Sequence, residues 1–595
     1  MHWIDYCIVI VYLVAIVTYG IFLERKASGG IDAYFLGNRD LPWWVLGASG
    51  MASNIDLAGT TVIVALIYAL GTKGFFIEIR GGLVLIMPFL MTFMGKWNRR
   101  SRMMTMAEWM HLRFGTGREG NIARIVSAGA NLVFAVGSIS YFSVGGGKFL
   151  GKLAGIDDRI AAISLILLAT FYTAVSGFYG VVWTDVFQGG LIFLAIVYIC
   201  AIAMQTVTIP ETFSVSISGT EELKTWTLTE WSSLAPPWQV DLPGNYAIFN
   251  FLGVILFFYV LKTIMEGCSG GGGYMMQRYF AAKSDREVGL LSLFWIFLLS
   301  FRWPMVTALA ILGIHYGITQ DIISDPELVL PTAIATYVPI GMKGLLVACF
   351  MAAAMSTFDS IINSSAAYWV KDIYQAYLNP EAENSQLIFQ SRMASVAIVI
   401  VGLLFSFNIE NINDIWGWLT LGLGAGLAVP LLLRWYWWRF NGYGFAIGTL
   451  AGTIAAILCK AVILPNTNDP QIQEYILFLV PSLSSLLGCI LGTVFTAPTD
   501  RDTLENFYNV TRPFGFWGIV SRELPGNIRA KIRAENSRDI QATAIAIPWQ
   551  LVMFLMGMMF VMKQWDRFGV LLLIFLLLSI ALYFVWFRHL DKEVR

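Results

Sequence analysis

The sequence predicts an all-α polytopic membrane protein made of two inverted five-helix repeats, each with a discontinuous first helix. One extra N-terminal helix and several extra C-terminal helices flank the repeats. Hydrophobic residues make up 57% of the 595 positions and charged residues only 13%, whereas a soluble domain carries about 25% charged residues. The apolar residues form about fifteen runs of roughly 18 to 25 residues, the length of helix that crosses a hydrocarbon core of about 30 Å.

The apolar runs and the polar stretches between them divide the chain into five predicted segments. These are an N-terminal extra span (1–40), a first five-helix repeat (41–206), an outward loop (207–245), a second five-helix repeat (246–442) and C-terminal extra spans (443–595) that include an inward loop (497–545).

Basic residues predict the orientation of these spans. Loops on the cytoplasmic side of a membrane protein carry an excess of Lys and Arg. If the N-terminus lies outside, most of the 39 Lys and Arg residues fall in inward loops. One such loop holds Lys96, Arg99, Arg100 and Arg102, and a later one holds Arg278. We therefore expect a multi-pass protein of the inner (cell) membrane with an outer N-terminus and a cytoplasmic C-terminus.

Two spans are interrupted in similar ways. The first contains GASGMASNIDLAGT (47–60), with Asn54 and Asp56 at its centre, and the second contains MEGCSGGGGYMMQR (265–278), with four consecutive glycines. Glycine costs about 1 kcal/mol relative to alanine inside a helix, so both spans are predicted to unwind. Paired broken helices that open two halves of opposite direction are typical of secondary transporters with a binding site near the membrane midplane. The alternative is that the glycines only allow close helix packing.

Charged side chains inside the predicted spans are candidates for function because each costs about 2.5–3.5 kcal/mol at the helix centre. They are Asp56, Glu78, Asp185, Glu266, Arg302 and Asp359.

A stripe of oxygen-bearing side chains lies within the segment 351–374. Ala353, Ser356, Thr357 and Ser360 have the spacing i, i+3, i+4 and i+7, which places them on one helical face. Hydroxyl and carbonyl oxygens suit a hard cation that has lost its water. The alternative is that the hydroxyls bond back to their own helix.

Four stretches resemble the signature of the sodium:solute symporter family, whose branches carry glucose, proline and sialic acid. They are YTAVSGFYGVVWTDVFQ (172–188), QRYFAAKSDRE (277–287), MSTFDSIINSSAAYWVKDIY (355–374) and LLLRWYWWRFNGYG (431–444). The resemblance covers most of residues 40–445 and implies a symporter that uses sodium and alternating access.

The resemblance also implies cation sites. The first is a sodium site made by the backbone carbonyls of Ala52, Ile55 and Ala353 and the hydroxyls of Ser356 and Thr357. Asp185 matches an acid that family members use in cation coupling, although an acid near a helix N-terminus is favoured anyway. A second sodium ion or a shared proton is expected where Asp185 meets Ser356, Asp359 and Ser360.

The solute is less well specified by the sequence. The predicted substrate-binding residues are Asn54, Asp56, Glu78, Glu266, Cys268, Arg302 and Trp416. By resemblance, Glu78 falls where sugar carriers place a glutamate, and Cys268 falls where a gating tyrosine is expected. Arg302 could bind a carboxylate or neutralise Glu266 or Glu78. A sugar or sugar-like solute is favoured, with a small carboxylate or amino acid as the alternative.

Other function classes lack support in the sequence. The chain contains no nucleophile–base pair or metal cluster of an enzyme and no nucleic-acid-binding module. A transporter-like solute sensor is the remaining alternative, but only residues 588–595 follow the last span. The expected partners are sodium, a small co-transported solute and membrane lipid, and no obligate protein partner is implied.

Overall fold

We analysed a computed structural model of the chain, which describes residues 1–27, 31–218, 220–407, 409, 411–467 and 469–590. Up to the end of the first predicted repeat the helices are α1 (Trp3–Ala27), α2 (Ile31–Leu36), α3 (Trp43–Asn54), α4 (Leu57–Leu70), α5 (Thr72–Ile77), α6 (Met87–Phe89), α7 (Gly95–Arg100), α8 (Trp109–Phe114), α9 (Arg118–Ala154) and α10 (Asp158–Thr206).

The second half of the chain is also helical. After β1 (Thr212–Ser216), β2 (Leu223–Thr227) and α11 (Leu228–Trp231), the second predicted repeat contains α12 (Leu252–Ser269), α13 (Tyr274–Phe280), α14 (Asp285–Leu299), α15 (Arg302–Thr319), α16 (Val329–Tyr337), α17 (Met342–Trp369), α18 (Asn384–Ser406), α19 (Ile412–Gly417) and α20 (Gly424–Tyr436). The remaining helices are α21 (Gly442–Leu458), α22 (Pro470–Val494), α23 (Arg501–Thr511), α24 (Gly518–Ser521), α25 (Gly526–Val561) and α26 (Trp565–Val585).

Both predicted helix breaks are confirmed. Between α3 and α4, Ile55 leaves the helical conformation and Asp56 caps the next helix by accepting from the Gly59 amide, so that the two segments meet at a bend of 59°. Between α12 and α13, Gly270, Gly271 and Gly273 have φ angles of 91°, 66° and 63°. Glycine adopts this left-handed region without a steric penalty, so the glycine run ends one helix and starts the next.

The predicted count of about fifteen spans is not confirmed. Within the described residues, eleven helices are long and apolar enough to cross a membrane, or twelve if α3 and α4 form one span. The predicted span 76–95 is divided among short helices, and the predicted spans 159–177 and 181–206 lie in the single 49-residue helix α10. Hydropathy detects apolar runs, but it does not detect where the backbone bends within or between them.

The polar segment 207–245 folds onto the core. Strands β1 and β2 form an antiparallel hairpin, and the Trp226 indole donates to the carbonyl of Ala69 at 2.8 Å. The Lys73 ammonium group donates to the Glu230 carbonyl at 2.8 Å, and Arg567 Nη1 donates to Ser232 Oγ at 2.7 Å. The hairpin segment is thereby attached both to the end of α4 and to the start of α26.

Candidate functional site

The two helix breaks are joined by one polar side chain. Asn54 Nδ2 donates to the hydroxyl of Tyr274 at 2.8 Å, and Asn54 Oδ1 accepts from the Trp295 indole at 2.8 Å. Tyr274 is the first residue of α13, directly after the glycine run, and its hydroxyl also donates to the Ser53 carbonyl at 3.3 Å. The end of α3 and the start of α13 therefore form one hydrogen-bonded unit.

A cavity of ≈ 270 Å³ lies against both breaks. Six of the seven predicted solute-binding residues line it, namely Asn54, Asp56, Glu78, Glu266, Arg302 and Trp416. The cavity continues along α9 to Ser127 and Asn131 and along α20 to Leu431. Cys268 does not line it, and the Cys268 carbonyl accepts from the Tyr436 hydroxyl at 2.8 Å instead.

Three polar groups that line the cavity converge beside Gly59. A methyl group added at Gly59 would lie 2.7 Å from Asp56 Oδ2, 2.9 Å from the Tyr141 hydroxyl oxygen and 3.1 Å from Arg302 Nη2. Arg302 Nη1 donates to the Asn54 carbonyl at 3.1 Å. Among the described residues, however, Arg302 Nε and Arg302 Nη2 have no hydrogen-bond partner. Since buried polar groups are normally hydrogen-bonded, these unpaired groups favour a polar ligand at this position.

The other two acids of the cavity have partners of their own. Arg80 Nη2 lies 3.1 Å from Glu78 Oε1, and both side chains are buried. Lys262 Nζ lies 2.7 Å from Glu266 Oε2. Arg302 is therefore not the ion-pair partner of Glu78 or Glu266, which was one of the two roles considered for it from the sequence.

An aromatic pair forms another wall of the cavity. The rings of Tyr141 and Trp416 are stacked, with centroids 5.2 Å apart and planes inclined by 24°. Any side chain at Gly81 would collide with the Trp416 ring, since an added Cβ would lie 2.8 Å from it. The Trp416 ring therefore lines the cavity while packed against Tyr141 and Gly81.

The residues predicted to bind sodium lie on α17 and at the end of α3. The Ser53 and Ser360 hydroxyl oxygens are 2.8 Å apart, which shows that the two helices are in direct contact there. Ser356 donates its hydroxyl proton to Asp185 Oδ1 at 2.5 Å, and Thr357 donates to the Ala353 carbonyl at 3.2 Å. Both hydroxyl oxygens therefore keep lone pairs for a cation, so the donor set is compatible with sodium.

Arg278 occupies the centre of the predicted second cation site. Arg278 Nη2 lies 3.2 Å from Asp185 Oδ2, and it donates to the Ser53 and Ser360 hydroxyls at 2.6 Å and 2.9 Å. Ser49 also donates to Asp185 Oδ2, at 2.5 Å. Both charged side chains are fully buried. The expectation that Arg278 lies in an inward loop is wrong, because a buried carboxylate and a ring of hydroxyls stabilise its charge within the helix bundle.

Asp359 is also buried on α17. Tyr12 of α1 lies near both Asp359 and Asp185. Within the predicted second-cation group, Asp185 accepts from the Ser356 hydroxyl.

Sequence reasoning missed several residues of the site, including five with charged or ring side chains. These five are Arg80, Tyr141, Lys262, Tyr274 and Arg278. Arg80 and Lys262 each follow a pattern that could have been found, since they stand two and four residues from the acid that they neutralise. Tyr141 has no such local signal, because its role depends on helices that are distant in sequence.

Broken helices that line a cavity between two halves of the chain are typical of a secondary transporter. The sequence profile described as "Sodium:solute symporter family" matches residues 34–452, which is more than half of the chain. The chain therefore belongs to the sodium:solute symporter family.

Individual relatives are similar over most of the chain. The sodium/glucose cotransporter of Vibrio parahaemolyticus is 25% identical over 80% of this chain and 89% of its own length. The high-affinity proline transporter PutP of Bacillus subtilis (strain 168) is 23% identical over 81% of this chain and 93% of its own length. A solved structure of a Na⁺-coupled sialic acid symporter in a substrate-bound outward-open state covers 84% of this chain and 99% of its own, with a TM-score of 0.64 and 20% identity.

These findings confirm the fold class of inverted repeats and the predicted class of protein. The chain is a multi-pass membrane protein and a sodium-coupled symporter, with sodium and a co-transported solute as its ligands. Its family and relatives are transporters, in agreement with the prediction that it is not an enzyme.

Proposed function

We propose that this symporter imports a small, uncharged, hydroxyl-bearing solute, a sugar or a sugar-like molecule, through the cavity between the broken helices. The observation that carries the proposal is the convergence of Asp56 Oδ2, the Tyr141 hydroxyl and Arg302 Nη2 beside Gly59, which lines the cavity. A solute hydroxyl that reaches these groups from the cavity can donate to the carboxylate and accept from the guanidinium at the same time.

The charges of the cavity support an uncharged solute. Glu78 and Glu266 are neutralised by Arg80 and Lys262, and Asp56 and Arg302 balance each other across Gly59. A carboxylate bound to Arg302 would lie beside Asp56 and be repelled by it. The flat face of Trp416 suits the apolar face of a sugar ring. A small carboxylate or an amino acid is the alternative, since two N–H groups of Arg302 lack partners and the proline transporter is a relative.

We further propose that one sodium ion binds where α3 ends against α17. The carbonyls of Ala52 and Ile55 belong to a helix end, where backbone oxygens lack intrahelical partners, and Ala353, Ser356 and Thr357 supply the facing oxygens. Arg278 already provides the positive charge beside Asp185. The second cation expected from the sequence is therefore replaced by a guanidinium, and one sodium ion per cycle suffices.

The proposed orientation makes this an inward-facing conformation. In this orientation the protein lies in the inner membrane, with its N-terminus outside and its C-terminus in the cytoplasm. The cavity then extends from the helix breaks toward the cytoplasmic ends of α9 and α20. On the outer side, Lys148 Nζ lies 2.6 Å from Glu327 Oε2 and joins α9 to the segment before α16. Lipid surrounds the spans, and no protein partner is required for this arrangement.

Thermal stability of the purified protein tests both proposals, because a ligand that binds only the native state raises the melting temperature. The protein is measured in sodium or choline chloride with panels of neutral sugars, small carboxylates and amino acids. We expect sodium alone to raise the melting temperature, and a neutral sugar to raise it further only when sodium is present. A shift with carboxylates or amino acids alone contradicts the proposed solute class.

Thr357→Ala tests the sodium site, and Ser365→Ala is the matched control. Ser365 is a buried hydroxyl on the same helix that donates only to the Ile361 carbonyl, at 2.6 Å. Because a hydrogen bond or dipole contact with a charged group contributes about 1.5–3 kcal/mol, Thr357→Ala should weaken sodium binding by roughly tenfold or more. Equal sodium dependence in the two variants contradicts the proposed site.

A further inference from the structure

A second cavity, far from the solute site, is almost entirely apolar. It is a groove of ≈ 840 Å³ between α10, the α14–α15 pair and the α25–α26 pair. Trp43, Ala201, Leu293, Met553 and Phe575 are among the residues that line it. Ala201 is exposed, so the groove is open to the surroundings of the helix bundle.

One cationic side chain lies on the same face of α14 as part of the groove lining. Leu290, Leu293 and Phe297 line the groove, and Arg286 precedes them on α14 by four, seven and eleven residues, which is the spacing of one helical face. Arg286 is half-buried, and it has no hydrogen-bond or ion-pair partner among the described residues. Its neighbour Asp285 already binds Arg99 and Arg100, at 3.3 Å and 2.8 Å. The apolar lining of the groove on α14 is therefore preceded, one helical turn away, by a positive charge on the same helical face.

We propose that this groove binds an anionic phospholipid, with one acyl chain along the α14 stripe and the headgroup phosphate at Arg286. Basic side chains next to grooves between transmembrane helices recognise anionic headgroups, and a guanidinium binds phosphate with paired hydrogen bonds. Trp43 also lines the groove and packs edge-on against Phe294, at 5.8 Å between ring centroids. A tryptophan with an apolar body and a polar N–H is typical of the level of lipid headgroups.

The lipid site adjoins the helix junction that carries Arg302. Ser300, Phe301 and Pro304 line the groove, and α15 begins at Arg302, whose side chain turns into the solute cavity. An acyl chain in the groove packs against this junction from the side opposite the cavity. Bound lipid therefore stabilises the start of α15 in the folded bundle.

Native mass spectrometry of the full-length protein in detergent tests the proposal, with phosphatidylglycerol and phosphatidylcholine of equal acyl chains as probes. We expect the protein to retain one phosphatidylglycerol molecule and to lose phosphatidylcholine. Arg286→Gln should abolish the retention, and Arg286→Lys should preserve it. Ala201→Trp, which fills the groove, should also abolish it.

Ala397→Trp is the control for a bulky side chain at a lipid-facing position, since Ala397 is exposed on α18. This variant should retain phosphatidylglycerol like the unmodified protein. Equal retention of the two lipids, or retention of phosphatidylglycerol by Arg286→Gln, overturns the proposal. If Ala201→Trp aggregates, the retention of phosphatidylglycerol by Arg286→Gln is compared with its retention by Arg286→Lys. This comparison tests the proposal because neither change alters the groove.

Discussion

Removing the guanidinium of Arg278 should convert the Asp185 pocket into a cation-binding site. In the structure Arg278 Nη2 lies 3.2 Å from Asp185 Oδ2 and also contacts the hydroxyls of Ser49, Ser53 and Ser360. Arg278→Gln leaves the carboxylate with two hydroxyl donors and no positive charge. The remaining oxygens form a group that suits a hard cation.

The cost of this substitution follows from the burial of the pair. Both side chains are fully buried, and removal of one partner of a buried ion pair costs about 3–5 kcal/mol because the other charge is left uncompensated. Domains are stable by only about 5–15 kcal/mol. We therefore expect a large fall in melting temperature in choline chloride.

Sodium should restore much of this loss. A ligand present at about 100 times its dissociation constant stabilises the native state by about 2.7 kcal/mol, which is more than half of the loss expected for the variant. The assay is a sodium titration of melting temperature for Arg278→Gln and for the unmodified protein, both without solute. We expect the variant to show the larger sodium-dependent rise.

Arg113→Gln is the matched control, because Arg113 is fully buried but donates only to backbone carbonyls such as those of Arg434 and Phe440. Its loss of stability should not be recovered by sodium. Combining Arg278→Gln with Asp185→Asn should cost less than the sum of the two single changes, as expected for contacting residues. Strict additivity, or equal sodium rescue of Arg113→Gln, would refute the reasoning.

Three further predictions concern the cavity and its outer side. Gly59→Ala places a methyl group about 3 Å from three polar atoms. It should abolish the solute-dependent thermal shift while the sodium-dependent shift persists. An unchanged solute-dependent shift contradicts the proposed position of the solute. Lys148→Gln removes the ion pair with Glu327 and should reduce labelling, from the cytoplasmic side, of a cysteine introduced at Asn131. Unchanged labelling means that this ion pair does not stabilise the inward-facing conformation. Burial raises the pKa of Glu327, which lies outside the spanning helices. Acidification should therefore protonate Glu327 before an exposed glutamate, and it should reduce the cysteine labelling as Glu327→Gln does. Labelling that does not change with pH contradicts this prediction.

Local sequence features were sufficient to predict the breaks in the helices. The glycine run 270–273 breaks its span because three of its members take φ values that other residues avoid. Asp56 caps the helix that follows it through a contact only three residues away. The span count was harder to predict, because α5, α6 and α7 divide an apolar run whose composition alone does not reveal a bend.

The site was predictable where it depends on one helix and unpredictable where it depends on several. The spacing of Ser356 and Ser360 on α17 could be predicted from the sequence. Arg278, which contacts Ser360, is 82 residues away from it along the chain. Charge counting assigned Arg278 to a loop, because a basic residue near a predicted helix end is usually a topology signal. Only the positions of Asp185 and three serines around it explain why this charge is stable inside the bundle.

The contacts of Asn54 and Arg278 indicate how sodium and solute binding are coupled. Asn54 joins the end of α3 to Tyr274 at the start of α13, and Arg278, one turn further along α13, joins the same end of α3 to Asp185 and Ser360. The Asn54 carbonyl also accepts from Arg302, which lines the solute cavity. Sodium bound between α3 and α17 would therefore act on the same short segment that positions Arg302 and Asp56. A ligand shifts a conformational equilibrium only through its different affinity for the two states. Because the end of α3 borders both the proposed sodium site and the solute cavity, a change there on sodium binding would alter the affinity for the solute.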